Sequence, residues 1–257
     1  MLVSENIWKH ILCYNNYQLE NKSELKDFLW SSTLKNIINN LTQETIIVLW
    51  WDWTLLQAIH KHHKEQKQFL WVNFWTVGFL LNDKNFIKSN SNFIKKSFPL
   101  MEVKVETKNL CFQDVFFNEI NITAWNWKML ELLLQLKDKK HITLKWDGML
   151  ISTPLWSTWY NTSLWWPLIS HNSDVLSITP KACWDPKKLW SIIIKNDETF
   201  TITNSWRCYP IEIYTDGRSV TQSDQEVKIE VKKSIINIDL LIENNYQEKW
   251  ENRIFEI

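Results

Sequence analysis

Three stretches of this chain combine residue types that bind sugars and phosphates. The first, Trp50-Trp51-Asp52-Trp53-Thr54, joins the apolar run Ile46-Ile47-Val48-Leu49 to a segment where Leu55, Leu56 and Ile59 keep helical spacing. A strand entering a helix through a tight turn is where α/β folds place phosphates. Such a turn needs residues that tolerate positive φ and let backbone N–H groups approach closely. Trp does neither. The second stretch is Asn118-Glu119, straight after Val115, Phe116 and Phe117. An amide and a carboxylate at a strand end suit sugar hydroxyls, though an ordinary turn can read the same way. The third runs from Lys145-Trp146-Asp147-Gly148 into Ser152-Thr153-Pro154-Leu155-Trp156-Ser157-Thr158-Trp159-Tyr160-Asn161-Thr162-Ser163. So many Ser and Thr around one Tyr are unlike a core strand. They offer hydroxyls and an aromatic face to a nucleotide.

Tryptophan stands in these stretches where glycine would satisfy every local rule. Reading Trp as Gly turns residues 46–56 into Ile-Ile-Val-Leu-Gly-Gly-Asp-Gly-Thr-Leu-Leu. The chain holds 18 Trp and only 3 Gly in 257 residues. A chain of this length ordinarily carries roughly 18 Gly, at about 7%, so Trp and Gly together make a normal glycine total. UGA means glycine in some bacterial lineages and tryptophan in others. Most of the Trp positions are therefore expected to be glycine codons read with the wrong code. The plainer alternative is a truly Trp-rich protein. Indoles at 50, 51, 53, 75, 156 and 159 would then fill the crevice, and are expected to be crowded or turned outward.

The elements that position these stretches follow from periodicity. Residues 25–41 suggest one or two amphipathic helices, through Leu25, Phe28, Leu29, Leu34, Ile37, Ile38 and Leu41. A strand at 46–49 and a helix at about 54–66 follow. The helix carries His60, His62 and His63, without a carboxylate or Cys at metal-ligand spacing, so a solvated helix end is expected. A second strand ends in the loop Asn73-Phe74-Trp75-Thr76-Val77-Gly78-Phe79. Two such loops at the carboxyl ends of neighbouring strands would face one crevice. Beyond about residue 100 the chain reads as β, with strand-like runs at 112–117, 128–137, 141–151, 174–179, 191–203, 209–215, 226–232 and 234–242. Asp216-Gly217 signals a hairpin. The expected fold is α/β + β: a Rossmann-like α/β domain at 1–100, a β-sandwich domain at 101–242, and a segment at 243–257 packing back on the first domain.

Bulk properties narrow the function. With 29 basic and 29 acidic residues, net charge is zero and no nucleic-acid partner is indicated. No apolar run approaches a membrane span, and no secretory leader is visible in the first 20 residues. Cys13, Cys111, Cys183 and Cys208 lack metal-site spacing and read as free buried thiols. A soluble cytoplasmic protein is expected.

From about residue 45 to 245 the chain resembles the bacterial NAD kinase family. The resemblance rests on the Gly-Gly-Asp-Gly-Thr pattern at 50–54, the Asn-Phe-Gly-Thr-Val-Gly-Phe loop at 73–79, Asn118-Glu119, and the Asp-Gly…Ser-Thr-Pro-x-Gly-Ser-Thr-x-Tyr block at 147–160, all with Trp read as Gly. The first motif alone also suits diacylglycerol-type lipid kinases and phosphofructokinases; the four in this order are far more specific. The resemblance implies phosphoryl transfer from ATP or polyphosphate, with a divalent metal such as Mg2+, to the 2′-hydroxyl of the adenosine ribose of NAD. It implies that Asp52 meets the ribose hydroxyls and helps activate the attacking oxygen. Positions Trp50, Trp51 and Trp53, with Thr54, would cradle donor phosphates. Trp53, Phe79, Asn118, Glu119, Lys145, Asp147, Thr158, Trp159, Tyr160 and Ser163 would bind NAD. No protein metal ligand is implied, because Mg2+ in such sites rides on phosphates and water. A dimer or tetramer is implied as well. Leu155 departs from the family's usual Thr or Ser, position 159 is commonly Ala there, and the region before residue 45 is short and matches poorly. The alternatives are a diacylglycerol-type lipid kinase, or a non-catalytic binding protein that stacks sugars or bases on indoles.

Overall fold

Residues 46–49 are wholly aliphatic and 69–72 carry only the Trp71 indole N–H as a polar side-chain group, and each run forms a strand buried on both faces, as parallel strands between layers require. The computed structural model describes residues 2–7, 10–15, 23–41, 44–49, 52–74, 82–83, 93–125, 129–137, 141–156, 168–182, 190–204, 210–223 and 226–255. The chain divides into two units, Met1–Phe98 with Ile236–Ile257, and Pro99–Ile235.

In chain order the first unit begins with β1 (Leu2–Ile7), β2 (His10–Asn15), α1 (Ser23–Leu29) and α2 (Ser32–Asn40). Then come β3 (Thr45–Leu49), α3 (Asp52–His62), β4 (Gln68–Asn73) and the short β5 (Asn82–Asp83). β2, β3 and β4 run parallel, β1 closes one edge antiparallel to β2, and β5 lies parallel on β4. The two expected amphipathic helices are α1 and α2. Ser31 caps α2, its Oγ accepting from the Leu34 N–H at 3.2 Å. Their apolar faces, Leu25, Phe28, Leu34 and Ile37, share a core with Ile47, Leu49, Leu70 and Val72. Asn82 is buried and donates from one Nδ2 to the carbonyls of Trp71 and Leu241, both at 2.8 Å.

Two long strands, β6 (Phe93–Thr107) and, near the end, β17 (Val227–Glu243), contain the boundaries between units. Between them lie β7 (Cys111–Phe116), β8 (Glu119–Ala124), β9 (Leu130–Leu136), β10 (Ile142–Trp146) and β11 (Gly148–Ser152). After these come β12 (Val175–Lys181), β13 (Ile192–Lys195), β14 (Phe200–Asn204), β15 (Ile211–Thr215) and β16 (Arg218–Ser223). α4 (Tyr246–Phe255) ends the chain. In the first unit the Lys96 ammonium sits 5.2 Å from the rings of both Phe98 and Tyr246, the first residue of α4.

The second unit is a sandwich. One sheet has the order β13-β12-β11-β8-β15-β16, all antiparallel. The other includes β10, β9, β14 and the first part of β17. Alternate residues such as Leu130, Leu132 and Leu134 from one sheet and Ile120, Ile122 and Ile151 from the other form one core between them. The fold is thus α/β + β, as the sequence pattern implies.

Several local readings change. β1 and β2 occupy residues 2–15, where periodicity gave no element. The run at 141–151 is two strands: β10 pairs with β9, and after Asp147 the chain enters the opposite sheet as β11. The run at 191–203 is likewise β13 and β14, while 226–232 and 234–242 form the single strand β17. α3 begins at Asp52 rather than near 54. His62 has a carboxylate partner, its Nδ1 lying 2.5 Å from Glu65 Oε1. Cys13 is buried, but Cys111 is exposed because it opens β7 at a hairpin end; Cys183 and Cys208 lie outside the described residues. Among the described residues no helix is long and apolar enough to cross a membrane.

Candidate functional site

In the first unit, the fully buried β3 delivers the chain to α3, whose first residue is Asp52. A carboxylate in the first turn of a helix is favoured by the macrodipole. Burial nevertheless dominates and pushes the Asp52 carboxyl up to about 6, offset in part by a hydrogen bond from its own backbone N–H. A carboxyl poised there is ionised at neutral pH yet basic enough to share a proton. Thr54 is buried in the same turn. Trp50, Trp51 and the 75–80 segment with Phe79 lie outside the described residues.

In the second unit, the turn between β7 and β8 presents Asn118 and Glu119, which sequence reasoning paired. Asn118 is buried. The Glu119 carboxyl is held well above the usual carboxylate range, first by burial and then by the negative Asp216, with Lys181 opposing. Among the described residues its Oε2 is buried without a hydrogen-bond partner. Lys181 donates from Nζ to Asn121 Oδ1. Burial holds the Lys181 ammonium down at about 8, against the pull of Glu119.

Strand register sets where the remaining residues fall. Ser152 pairs with Glu119, and Gly148 with Thr123. Asp147 therefore lies at the far end of β8 from Glu119, about 17 Å away along a strand at 3.4 Å per residue. Asp147 is exposed, and Lys145 beside it lies 3.7 Å from Glu131. The structure brings Asn118, Glu119, Ser152 and Thr153 together and keeps Lys145 and Asp147 apart from them. Thr158, Trp159, Tyr160 and Ser163 lie outside the described residues.

Two residues at this turn escaped sequence reasoning. Asp216, read only as a hairpin residue, is buried and accepts from the N–H groups of Phe117, Asn118 and Glu119 at 2.9, 2.7 and 3.1 Å. Lys181 carried no signal beyond its position at the end of an apolar strand.

The Trp side chains that the structure describes divide sharply. Trp30, Trp53, Trp125 and Trp190 are 83, 39, 41 and 74% exposed. Trp71 is buried, and its indole N–H has no acceptor among the described residues. Large aromatic residues are normally well buried, with the N–H satisfied.

No family model matches the chain. It is similar to the NAD kinase of Caldicellulosiruptor bescii, at 26% identity over 262 residues, covering 94% of this chain and 97% of that protein. It is also similar to an NAD kinase of Clostridium botulinum, 28% identical over 228 residues, covering 84% and 78%. Among solved structures, yeast NADH kinase complexed with NADH superposes with a TM-score of 0.74 at 18% identity, covering 88% of this chain and 68% of that one. An NAD kinase from Archaeoglobus fulgidus in complex with ATP gives 0.71 at 18% identity, covering 92% and 96%. At that identity the two structures speak to the fold.

Proposed function

We infer that this chain, which belongs to the NAD kinase family, transfers a phosphoryl group from ATP to the 2′-hydroxyl of the adenosine ribose of NAD. The observation that carries the reading is Asp52: a carboxyl at the start of a helix, directly beyond a buried parallel strand, pushed up to about 6 by burial. In this role it accepts a hydrogen bond from the ribose hydroxyl and helps it toward the phosphorus. Phosphoryl transfer asks little covalent work of the protein, so positioning and charge neutralisation supply most of the rate. Asn118 and the buried, unpaired Glu119 Oε2 offer the sugar an amide and an acceptor. Because Asp147 stands about 17 Å from Glu119 along β8, and Lys145 lies on β10 in the opposite sheet, these two meet a different part of the dinucleotide. The two units serve as the α/β and NAD-binding domains.

Mg2+ fits as a companion of the ATP phosphates. Among the described residues no group of three or more His, Cys, Asp or Glu could hold a metal ion. The cation would neutralise phosphate charge. This chain's own part is to aim the hydroxyl and shield it from water. Assembly as a dimer or tetramer in the cytoplasm belongs to the same proposal, checked by light scattering.

The natural protein carries glycine at most of the 18 Trp positions. Four exposed indoles and one buried indole with an orphaned N–H support this, since glycine removes the misfit at each. Codons reading UGA rather than UGG at Trp50, Trp51 and Trp53 test it. The activity is tested with purified protein carrying glycine at all 18 positions. It should form NADP from NAD and ATP and leave diacylglycerol unchanged; phosphorylated diacylglycerol without NADP would overturn the assignment.

A further inference from the structure

The segment Phe117–Glu119 runs from the end of β7 into the first residue of β8, and ladder bonds within the strands do not account for its backbone hydrogen bonds. All six of its N–H and C=O groups are nevertheless satisfied, by two residues. The three N–H groups donate to the Asp216 carboxylate, Phe117 to Oδ2 and both Asn118 and Glu119 to Oδ1. The Glu119 carbonyl accepts from the Asp216 N–H at 2.9 Å. Thr153 supplies the rest: its Oγ1 donates to the Phe117 carbonyl at 2.8 Å and its N–H to the Asn118 carbonyl at 2.9 Å. The side chains of Asn118 and Glu119 are thereby released from holding their own loop.

Asp216 is placed for this by its turn. It and Gly217 have φ of 46° and 70°, and Thr215 pairs directly with Arg218, a two-residue hairpin of the kind that needs positive φ at both positions. This conformation turns a buried carboxylate back across the sheet toward residues 97–99 positions earlier. The strand behind it is tied down too. Thr215 Oγ1 donates to Asp114 Oδ2 at 2.8 Å, and Arg218 reaches the same oxygen at 2.6 Å.

We propose that Asp216 is a positioning residue for NAD, its carboxylate locking the backbone of Asn118 and Glu119 in the conformation that meets the dinucleotide. Charge-assisted bonds to three consecutive amides make a stiffer clamp than neutral acceptors could. The clamp also leaves a negative charge beside Glu119, which raises the Glu119 carboxyl further. The proposal rests on the reading of Asn118 and Glu119 given above and deepens it.

The test is Asp216→Asn in the full-length chain with glycine at the 18 positions. Asn tolerates positive φ and keeps one acceptor oxygen, but turns a donor toward an N–H group. Two readouts are taken. Amide hydrogen exchange of ligand-free protein should show Phe117, Asn118 and Glu119 protected in the native chain and exposed in the variant, with β11 and β12 unchanged. Steady-state kinetics should show the KM for NAD raised about tenfold or more, with kcat and the KM for ATP within about twofold. A purely structural role would lower the melting temperature and the active fraction but leave the KM for NAD alone, which would overturn the proposal. Unchanged exchange at the three amides would overturn the clamp itself. Lost protection with an unchanged KM for NAD would overturn the role of Asn118 and Glu119, and the positioning role with it. The exchange arm needs no activity, so it remains readable if the NAD kinase reading fails. Should Asp216→Asn not fold, Thr153→Val removes the bond to the Phe117 carbonyl from the same lock, and should give a smaller loss of protection across the same three amides together with a raised KM for NAD; full protection with an unchanged KM would overturn the lock.

Discussion

Gly148→Ala should damage stability and NAD binding together. Gly148 is one of three glycines in the chain and opens β11, between β8 and β12. A Cβ there would stand closer than 3.0 Å to the Ile122 carbonyl oxygen and 3.2 Å from both the Thr123 Cα and the Lys181 Cδ. Two of these neighbours are backbone in a central strand, so β8 must move or β11 must shear. Overpacking of this kind costs about 1–3 kcal/mol, and a contact with ladder backbone puts it near the upper end. For a unit of this size about 3 kcal/mol lowers the melting temperature by roughly 10 °C. Of these three neighbours Lys181 alone is a flexible side chain, and moving it disturbs its bond to Asn121 and its field at Glu119. Thermal melts followed by circular dichroism give the first quantity, and the KM for NAD against the KM for ATP gives the second. A melting temperature within about 2 °C of the native chain would refute the steric argument. A large fall in stability with an unchanged KM for NAD would refute the link through Lys181.

Three further outcomes are expected. Asp52→Asn should lower kcat by about 10²–10⁴, and in the native enzyme kcat/KM for NAD should fall as pH drops through about 6, where Asp52 takes up a proton. Glu119→Gln should bind NAD more weakly yet melt higher at pH 7. Folding holds the Glu119 carboxyl above its ordinary value, so the unfolded chain releases that proton first as pH rises. The native chain therefore loses stability upward from the ordinary range near 4.5, and the gain of the Gln variant should vanish by pH 4. Peptide mass spectrometry of the native protein should find glycine at position 71, where the buried indole leaves its N–H without an acceptor among the described residues.

Much of this fold could be read locally. Ile46–Leu49 announced a buried strand because nothing polar interrupts it, and Asp216-Gly217 announced its hairpin because few other pairs tolerate positive φ twice. The helices at 23–40 followed from apolar spacing. What stayed hidden was set by partners. Leu2–Ile7 mixes Ser, Glu and Asn among its apolar residues, as an edge strand can, so periodicity gave no signal. The switch of sheets at Asp147 takes a single residue between two strand-forming runs, so 141–151 looked like one strand. Lys232-Lys233-Ser234 looked like a break, but the two lysines face solvent and Ser234 is buried against Glu102 while β17 continues. The clamp on Asn118 and Glu119 was illegible because it joins positions 97–99 apart, and no local pattern reports a carboxylate arriving from that distance.

NADP production decides the central claim, measured by chromatography on three purified proteins supplied with NAD and MgATP. They are the chain with glycine at all 18 positions, the chain with tryptophan there, and the glycine chain carrying Asp52→Asn. NADP is expected from the first and at least about a hundredfold less from the other two. Equal production by the tryptophan chain, or by the Asp52→Asn variant, would contradict that claim.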